Sequence, residues 1–107
     1  MKGGGPRQMK GGWVYIITNG PHGTLYIGVT ADLAFRITQH RQGGGSEFCD
    51  KHGLVRLVYA ERHDEIAFAI QREKAMKKWK RQWKLKLICA RNPHWDDLYQ
   101  HIQTANL

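Results

Sequence analysis

Residues 13–29 read WVYIITNGPHGTLYIGV, and this stretch decides the fold. Trp13 to Thr18 is a β-branched and aromatic run, residues 19–23 (Asn, Gly, Pro, His, Gly) interrupt it, and Leu25 to Val29 resumes it. Two such runs joined by a segment that contains Gly and Pro are typical of antiparallel strands. The stretch therefore predicts a β-hairpin with a loop of several residues.

The sequence beyond the hairpin predicts several helices and one more strand. Thr30 or Asp32 can cap a helix that reaches about Arg41, and the Gly-Gly-Gly-Ser run at 43–46 begins a loop. A strand is expected over 55–61 and helices over 64–80, 82–90 and 94–101, with Asn92-Pro93 as the last break. The order ββαβααα has no regular βαβ alternation. It predicts a small α+β domain in which helices flank a three-stranded, mainly antiparallel sheet.

The length of the chain, 107 residues, suits one domain. Residues 1–12 contain five Gly and one Pro and no core candidate, so we expect a flexible Gly-rich tail followed by a single domain over 13–107. Cys49 and Cys89 are isolated, no secretory signal pattern is present, and no apolar run approaches the roughly 18 residues of a spanning helix. We expect a soluble, cytoplasmic protein without membrane contact.

The charge of the chain is concentrated in one segment. The formal net charge is +8, and between residues 72 and 91 lie nine of the seventeen Lys and Arg with a single acid, Glu73. Such a segment favours an anionic polymer as partner, and Trp79 and Trp83 within it could stack on bases or pack in the core. A solvated basic helix with buried Trp residues explains the pattern equally well. The candidate nucleic-acid-binding residues are Lys77, Lys78, Lys80, Arg81, Lys84 and Lys86.

Two predicted helices carry polar residues on their apolar faces. On the first helix Arg36 and His40 lie within the same sector of roughly 100° as Leu33 and Ile37. On the long helix Glu73 falls within the stripe formed by Ile66, Ala69, Ile70 and Met76. A buried carboxylate must be paired, protonated or bound to a metal. The structural alternatives to a functional site are an internal Arg36–Glu73 salt bridge and apolar helix faces that are too narrow to include these polar residues.

Two other sequence patterns are weaker indications of a functional site. Cys49 and His52 have the spacing of half a zinc site, but no second close pair of ligands exists in the sequence. Trp95 and Tyr99 are four residues apart on the predicted final helix, which favours a packing role that docks this helix onto the domain.

Together these features resemble the GIY-YIG endonuclease superfamily, most closely its stand-alone, single-domain bacterial members. The resemblance covers the chain from Trp13 to Tyr99. It is carried by five elements in order: Trp13-Val14-Tyr15, Tyr26-Ile27-Gly28, the run Thr30-x-Asp32-Leu33-x-x-Arg36-x-x-x-His40, Arg72-Glu73-Lys74, and Asn92-Pro93.

The resemblance implies metal-dependent hydrolysis of a phosphodiester in nucleic acid. Glu73 corresponds to the metal-binding carboxylate of the family, and a hard oxygen ligand suits Mg²⁺ or Mn²⁺. Arg36 matches the catalytic arginine, whose planar fork fits the oxygens of a phosphate.

The resemblance also assigns roles around the attacking water. Tyr15 and Tyr26 match the two motif tyrosines, which position that water and in some members deprotonate it. His40 matches a position where water activation and phosphate contact are both open, and Asn92 matches a late donor that braces the site or a phosphate. A free phenol titrates near pH 10, so the general base, Tyr15 or His40, stays open.

Two residues depart from the family pattern. Trp13 stands where the motif name has Gly, a commonly variable position, and Val29 stands where several members carry Lys, which removes one candidate for lowering the pKa of a tyrosine. We expect a catalytic domain without an attached DNA-recognition domain, and therefore structure-selective or weakly specific cleavage of branched, flapped or single-stranded DNA, as in repair or recombination. A non-catalytic nucleic-acid-binding module on the same fold, and a basic protein-interaction module, are the alternatives, and no protein partner is inferable.

Overall fold

Strand β1 is the centre of a three-stranded antiparallel sheet. A computed structural model describes residues 11–105, in which the sheet order is β2-β1-β3. The elements of the described chain are β1 (Gly12–Thr18), β2 (Leu25–Thr30), α1 (Leu33–Gln42), α2 (Glu47–His52), β3 (Arg56–His63), α3 (Ile66–Lys77), α4 (Arg81–Arg91) and α5 (Tyr99–Ala105). The predicted hairpin, the antiparallel sheet and the α+β class are confirmed.

The two faces of the sheet are covered by different helices. Tyr15 and Ile17 of β1 point to one side, which we call the tyrosine face, where they pack with Leu33 and Ile37 of α1. Val14 and Ile16 point to the opposite face, where the core contains residues of α3 and α4. This alternation follows from the period of two along a strand, and all four β1 residues are fully buried. The hydrophobic pattern of β1 therefore places both tyrosine-bearing strands between two helical layers.

The segment between α1 and β3 differs from the prediction. A loop was expected after the glycines at 43–45, but Glu47–His52 forms helix α2. The Ser46 side chain accepts a hydrogen bond from the Cys49 amide, and Gly53 ends the helix in the left-handed conformation, with φ of 66°. Both cap residues are typical of a helix, and the loop prediction was wrong because six residues are too few to show a periodic pattern.

The end of the chain also differs from the prediction. The last helix begins at Tyr99, not at His94, and Trp95 lies before it with φ of 57°. Trp95 and Tyr99 therefore do not share a helix face: Trp95 is buried on the opposite face of the sheet, whereas Tyr99 packs on the tyrosine face. The left-handed conformation at Trp95 breaks any helix through this position.

Smaller corrections concern boundaries and one stripe residue. The predicted tail includes Gly12, which instead begins β1, while residues 1–10 of that tail lie outside the described part of the chain. Ile70 was placed in the buried stripe of α3 but is 37% exposed, so the stripe consists of Ala69, Glu73 and Met76. Among residues 11–105, no helix has the length and apolar character needed to cross a membrane.

Candidate active site

The hairpin register places both motif tyrosines on the tyrosine face. Tyr15 pairs with Gly28 across the strands, and Tyr26 pairs with Ile17, so the two phenol rings are diagonal neighbours with centroids 6.4 Å apart. Tyr15 is fully buried, whereas Tyr26 is half-buried. One phenol therefore belongs to the core of the site and the other to its rim.

Gly28 leaves the space that the Tyr15 phenol occupies. A Cβ atom at Gly28 would overlap the Tyr15 hydroxyl and would lie 2.7 Å from the Cε2 atom of its ring. Real Cβ atoms do not approach this closely, so any side chain at position 28 must displace Tyr15. The absence of a side chain at Gly28 thus fixes where the Tyr15 hydroxyl lies.

We predict that Gly28→Ala lowers the free energy of unfolding by about 1–3 kcal/mol, the usual effect of overpacking a filled core, and displaces the Tyr15 hydroxyl. Urea unfolding and the cleavage assay described below measure the two effects. Gly20→Ala is the matched control, because nothing lies within 4 Å of a Cβ at Gly20, and we expect it to be neutral in both measurements. Unchanged stability of Gly28→Ala would show that the strand can shift to make room.

Helix α1 brings Arg36 and His40 to the Tyr15 hydroxyl. Asp32 caps the helix, since its carboxylate accepts from the Phe35 amide at 3.1 Å. Arg36 Nε donates to the Tyr15 hydroxyl oxygen at 3.3 Å, and His40 Nε2 lies 2.9 Å from the same oxygen. One helical turn separates Arg36 from His40, so both residues can reach the same hydroxyl group.

The hydrogen bonds assign the protons of this cluster. Because Arg36 donates to the Tyr15 oxygen, we assign the Tyr15 proton to the hydrogen bond with His40 Nε2 and the imidazole proton to Nδ1. Nδ1 is buried and has no hydrogen-bond partner within the described chain; a Cβ at Gly45 would lie 2.7 Å from it. The cluster is therefore a neutral phenol bonded to a neutral imidazole beside a fixed guanidinium.

The pKa shifts of the cluster agree with a neutral phenol and a neutral imidazole. Burial raises the pKa of Tyr15 to about 12, although the hydrogen bond from Arg36 opposes the shift. Burial lowers the pKa of His40, and the positive charge of Arg36 lowers it further. Burial also acts to lower the pKa of Arg36, but its interactions with Tyr15 and Tyr26 outweigh this and raise it. At neutral pH only Arg36 carries a charge.

The Glu73 carboxylate is connected to Tyr26 through one intervening side chain, that of Lys77. The Glu73 carboxylate is buried on α3 and pairs with Lys77 Nζ at 2.7 Å. Lys77 Nζ in turn lies 5.9 Å from the centroid of the Tyr26 ring. Since α3 covers the opposite face and β2 is an edge strand, Lys77 reaches Tyr26 around that edge. The internal pair with Arg36 that the sequence allowed is not formed: Arg36 bonds Tyr15 and Gln39, and Glu73 bonds Lys77.

Asn92 is not brought into contact with the other predicted site residues. It lies at the end of α4, where its Nδ2 donates to the Val58 carbonyl at 3.1 Å and to the Asp96 carbonyl at 2.9 Å. Its Oδ1 accepts from the Asp96 amide at 3.0 Å. These bonds join α4 and the following turn to β3, which is a bracing contact within the fold.

Sequence reasoning missed an aromatic pair at the rim of the site. Phe48 of α2 stacks on Tyr26, with centroids 6.4 Å apart and an interplanar angle of 29°, and it contacts His52 with centroids 4.6 Å apart. Phe48 remains 45% exposed. The one sequence signal for α2 is the pair of caps, Ser46 and Gly53, around this segment.

The predicted basic residues differ in what they contact. Lys77, Lys78, Lys80, Arg81 and Lys86 are exposed and Lys84 is half-buried. Arg81 Nη2 donates to the carbonyl oxygens of His22 and Gly23 at 2.7 Å each, which ties α4 to the hairpin turn. Of the two tryptophans, Trp79 is half-buried and Trp83 is 52% exposed. The alternative in which both tryptophans are buried is therefore wrong for Trp83.

Comparison with known proteins identifies the domain that carries this cluster. Residues 11–86 match the sequence profile of the GIY-YIG catalytic domain, and they include Tyr15, Tyr26, Arg36, His40 and Glu73. The chain belongs to the GIY-YIG family. Asn92 lies beyond the matched residues. The predicted resemblance to GIY-YIG proteins is confirmed. GIY-YIG domains form a nuclease superfamily.

The relatives of this GIY-YIG domain are small bacterial proteins. A UPF0213 protein of Staphylococcus saprophyticus is 38% identical over 76 residues, which cover 71% of this chain and 92% of the relative. A UPF0213 protein of Staphylococcus aureus is 35% identical over 83 residues, which cover 78% of this chain and 100% of the relative. No solved structure matches the chain with comparable significance. The matches span nearly the whole of each relative, so these are stand-alone domains of similar size.

Proposed function

We propose that this protein is a metal-dependent endonuclease that hydrolyses phosphodiester bonds in DNA. One observation carries the proposal: in a GIY-YIG domain, Arg36 and His40 both hydrogen-bond the Tyr15 hydroxyl, beside Tyr26. A charged guanidinium held next to two phenols and an imidazole suits an anionic substrate whose charge increases in the transition state. We place the activity in the bacterial cytoplasm, in DNA repair or recombination.

Glu73 would hold the metal ion, Mg²⁺ or Mn²⁺. Within residues 11–105 no group of three or more His, Cys, Asp or Glu side chains is arranged to hold a metal. A single carboxylate nevertheless fits Mg²⁺, which keeps several waters and is bound by one or two carboxylates together with substrate phosphates. When bound, the ion would act as a Lewis acid on the scissile phosphate. Lys77 would then leave Glu73 and become available to a phosphate.

Arg36 would bind the non-bridging oxygens of the scissile phosphate. Its Nε is held by Tyr15 at 3.3 Å and its Nη1 by Gln39 Oε1 at 2.8 Å, so the guanidinium is fixed before substrate arrives. A preorganised donor needs little rearrangement as charge develops on the phosphate. Tyr26 is the less buried phenol and would position the attacking water, whereas Tyr15 would hold Arg36 and His40 in place.

The Tyr15–His40 pair would accept the proton of the attacking water. A phenol with a pKa of about 12 is a poor base at neutral pH if it must lose its proton first. If Tyr15 takes a proton from water while its own proton moves to His40 Nε2, no free phenolate forms. Because Tyr15 is fully buried, this step requires that the attacking water reach its hydroxyl when substrate is bound.

We predict that cleavage stays constant as the pH falls to 6.5 and declines only below it, because the pKa of His40 is lowered from its usual 6.5. Protonated His40 cannot accept the Tyr15 proton. The same neutral histidine contributes stability above pH 6.5 that is lost as the pH falls toward its folded-state pKa.

His40→Gln keeps an acceptor for Tyr15 but cannot take up the proton; we expect its rate to drop by about 10²–10⁴ and the acidic decline to disappear. A rate-against-pH profile of both proteins tests this, and an unchanged acidic decline in His40→Gln would assign it to another group.

The alternative function is a non-catalytic nucleic-acid-binding module on the same fold. The Glu73–Lys77 pair favours it, because this ion pair satisfies the carboxylate without a metal. The deciding experiment incubates the protein with single-stranded, duplex, flapped and junction DNA, with and without Mg²⁺ or Mn²⁺, beside the Glu73→Gln variant. Metal-dependent cleavage by the wild type, with none by Glu73→Gln, supports the nuclease proposal. Binding without turnover on every substrate supports the module.

A further inference from the structure

Trp83 is a large aromatic side chain held in place at the surface. It lies in the first turn of α4 and is 52% exposed. The Trp79 ring contacts it edge to face, with centroids 6.2 Å apart and an interplanar angle of 71°. Trp79 itself packs against the core of the opposite face, and the Arg72 guanidinium lies 5.0 Å from its ring centroid. Trp83 is thus oriented by a neighbour that is anchored in the core.

Two grooves flank the Trp83 indole. One has a volume of about 360 Å³ and the other of about 480 Å³. Trp83 and Lys86 line both grooves. The first groove is completed by Trp79 and Leu87, and the second by Gln82, Leu85 and Cys89. A flat aromatic surface beside an open groove, with a lysine side chain along the same groove, can take a planar group attached to an anion.

We propose that Trp83 is a stacking platform for an unpaired nucleobase, with Lys86 contacting the adjacent phosphate; this rests on the proposed nuclease function. Charge complementarity selects the occupant, since residues 72–91 hold nine cations and one acid, which suits a polyanion. The occupant must be single-stranded here, because a base within a duplex is already stacked on both sides.

The platform lies close to the proposed cleavage site along the chain. Lys77, whose Nζ is 5.9 Å from the Tyr26 ring centroid, precedes Trp83 by six residues. Six residues separate the two α-carbons by at most about 20 Å, and the Lys77 side chain adds to this the distance to Tyr26. Trp83 contacts Trp79, which packs on the face of the sheet opposite the tyrosines, so a strand that reaches both places must pass around the sheet. The substrate class that this predicts is DNA with a single-stranded segment on one side of the cut.

The test measures binding without cleavage. The Glu73→Gln protein in EDTA is titrated with a fluorescent single-stranded oligonucleotide of about 12 nucleotides and with a blunt duplex, at several salt concentrations. Adding Trp83→Ala should weaken single-strand binding by about 5- to 150-fold, the fold-change that corresponds to one lost stacking contact. Duplex binding should change less than about twofold. The salt dependence should be unchanged, because no charge is removed.

Matched variants separate stacking from other effects. Trp83→Phe keeps an aromatic ring and should retain most of the single-strand affinity. Phe68→Ala removes another exposed aromatic, 55% exposed on α3, and should have no effect. Lys86→Ala should weaken binding. It should also reduce the slope of log binding constant against log salt concentration by about 1, the value for one lost phosphate contact.

Two outcomes would overturn the proposal that Trp83 is a stacking platform. One is equal weakening of single-strand and duplex binding by Trp83→Ala in a protein whose circular dichroism is unchanged. The other is loss of a dimer in the same variant, measured by sedimentation, which would make a second copy of the chain the occupant. The assay measures binding and does not depend on turnover. Selective loss of single-strand binding in Trp83→Ala therefore supports the platform whether or not the wild type cuts DNA. A wild type that cuts no substrate would overturn only the nuclease proposal.

Discussion

Replacing Glu73 with Gln is expected to lower the cleavage rate by more than about a hundredfold while leaving DNA binding intact. Glu73 is the buried carboxylate of α3 that would hold the metal ion, and loss of a direct ligand should exceed the 10- to 100-fold effect of losing an outer partner. The substitution keeps the shape of the side chain and removes its charge. Single-turnover cleavage at saturating enzyme and Mg²⁺, with binding measured separately, gives both quantities.

A second variant distinguishes the carboxylate from its partner. Glu73→Gln also breaks the pair with Lys77, whose side chain is half exposed, so this pair should contribute no more than about 1 kcal/mol to stability. Lys77→Gln breaks the same pair but keeps the carboxylate. We expect it to weaken DNA binding and to keep metal-dependent cleavage. Wild-type cleavage by Glu73→Gln would show that Glu73 does not hold the metal.

The hairpin and its two tyrosines were predictable from local sequence because strand alternation fixes side-chain direction. Alternation places Tyr15 and Ile17 on one face of β1, and Tyr26 and Gly28 on one face of β2; the register Tyr15–Gly28 makes these the same face. What alternation could not predict is that Gly28 lies opposite Tyr15 and makes room for its phenol. That contact depends on the register, which the loop length sets.

The α1 residues show the limit of periodicity. The spacing correctly predicted that Arg36 and His40 share the inward sector with Ile37. It could not show that both bond the Tyr15 hydroxyl, because this requires the distance between α1 and β1. The same limit explains the open choice of general base, since a pKa depends on burial and neighbouring charge rather than on residue type.

The partner of Glu73 could have been predicted from local sequence. Glu73 and Lys77 are four residues apart with the acid first, which is the favoured order for a helix ion pair. The competing interpretation, a pair with Arg36, required a contact between helices on opposite faces of the sheet. Helix α2 was missed for another reason: with six residues it depends on tertiary contacts such as the buried Cys49 and the stacked Phe48.

Replacing Arg36 with Lys is expected to lower cleavage by about 10²–10³, even though the charge is kept. The guanidinium bonds Tyr15 through Nε and Gln39 through Nη1 and would present its remaining donor edge to the phosphate. A lysine ammonium is a single point and cannot hold both neighbours and a phosphate in one fixed geometry. Removing one preorganised donor from a transition state has an effect of this size. Single-turnover cleavage at saturating enzyme measures it.

Arg41→Lys is the matched control for this prediction. Arg41 lies near the end of the same helix and pairs with Asp97 at 2.7 Å, away from the Tyr15 hydroxyl, so we expect its rate to be close to that of the wild type. Arg36→Gln adds a second readout, because the positive charge of Arg36 lowers the pKa of His40. Removing that charge should move the acidic decline in rate to higher pH, whereas Arg36→Lys should leave it in place. A lysine variant with wild-type rate would mean that Arg36 acts as a charge alone and that its fork does not bind the phosphate.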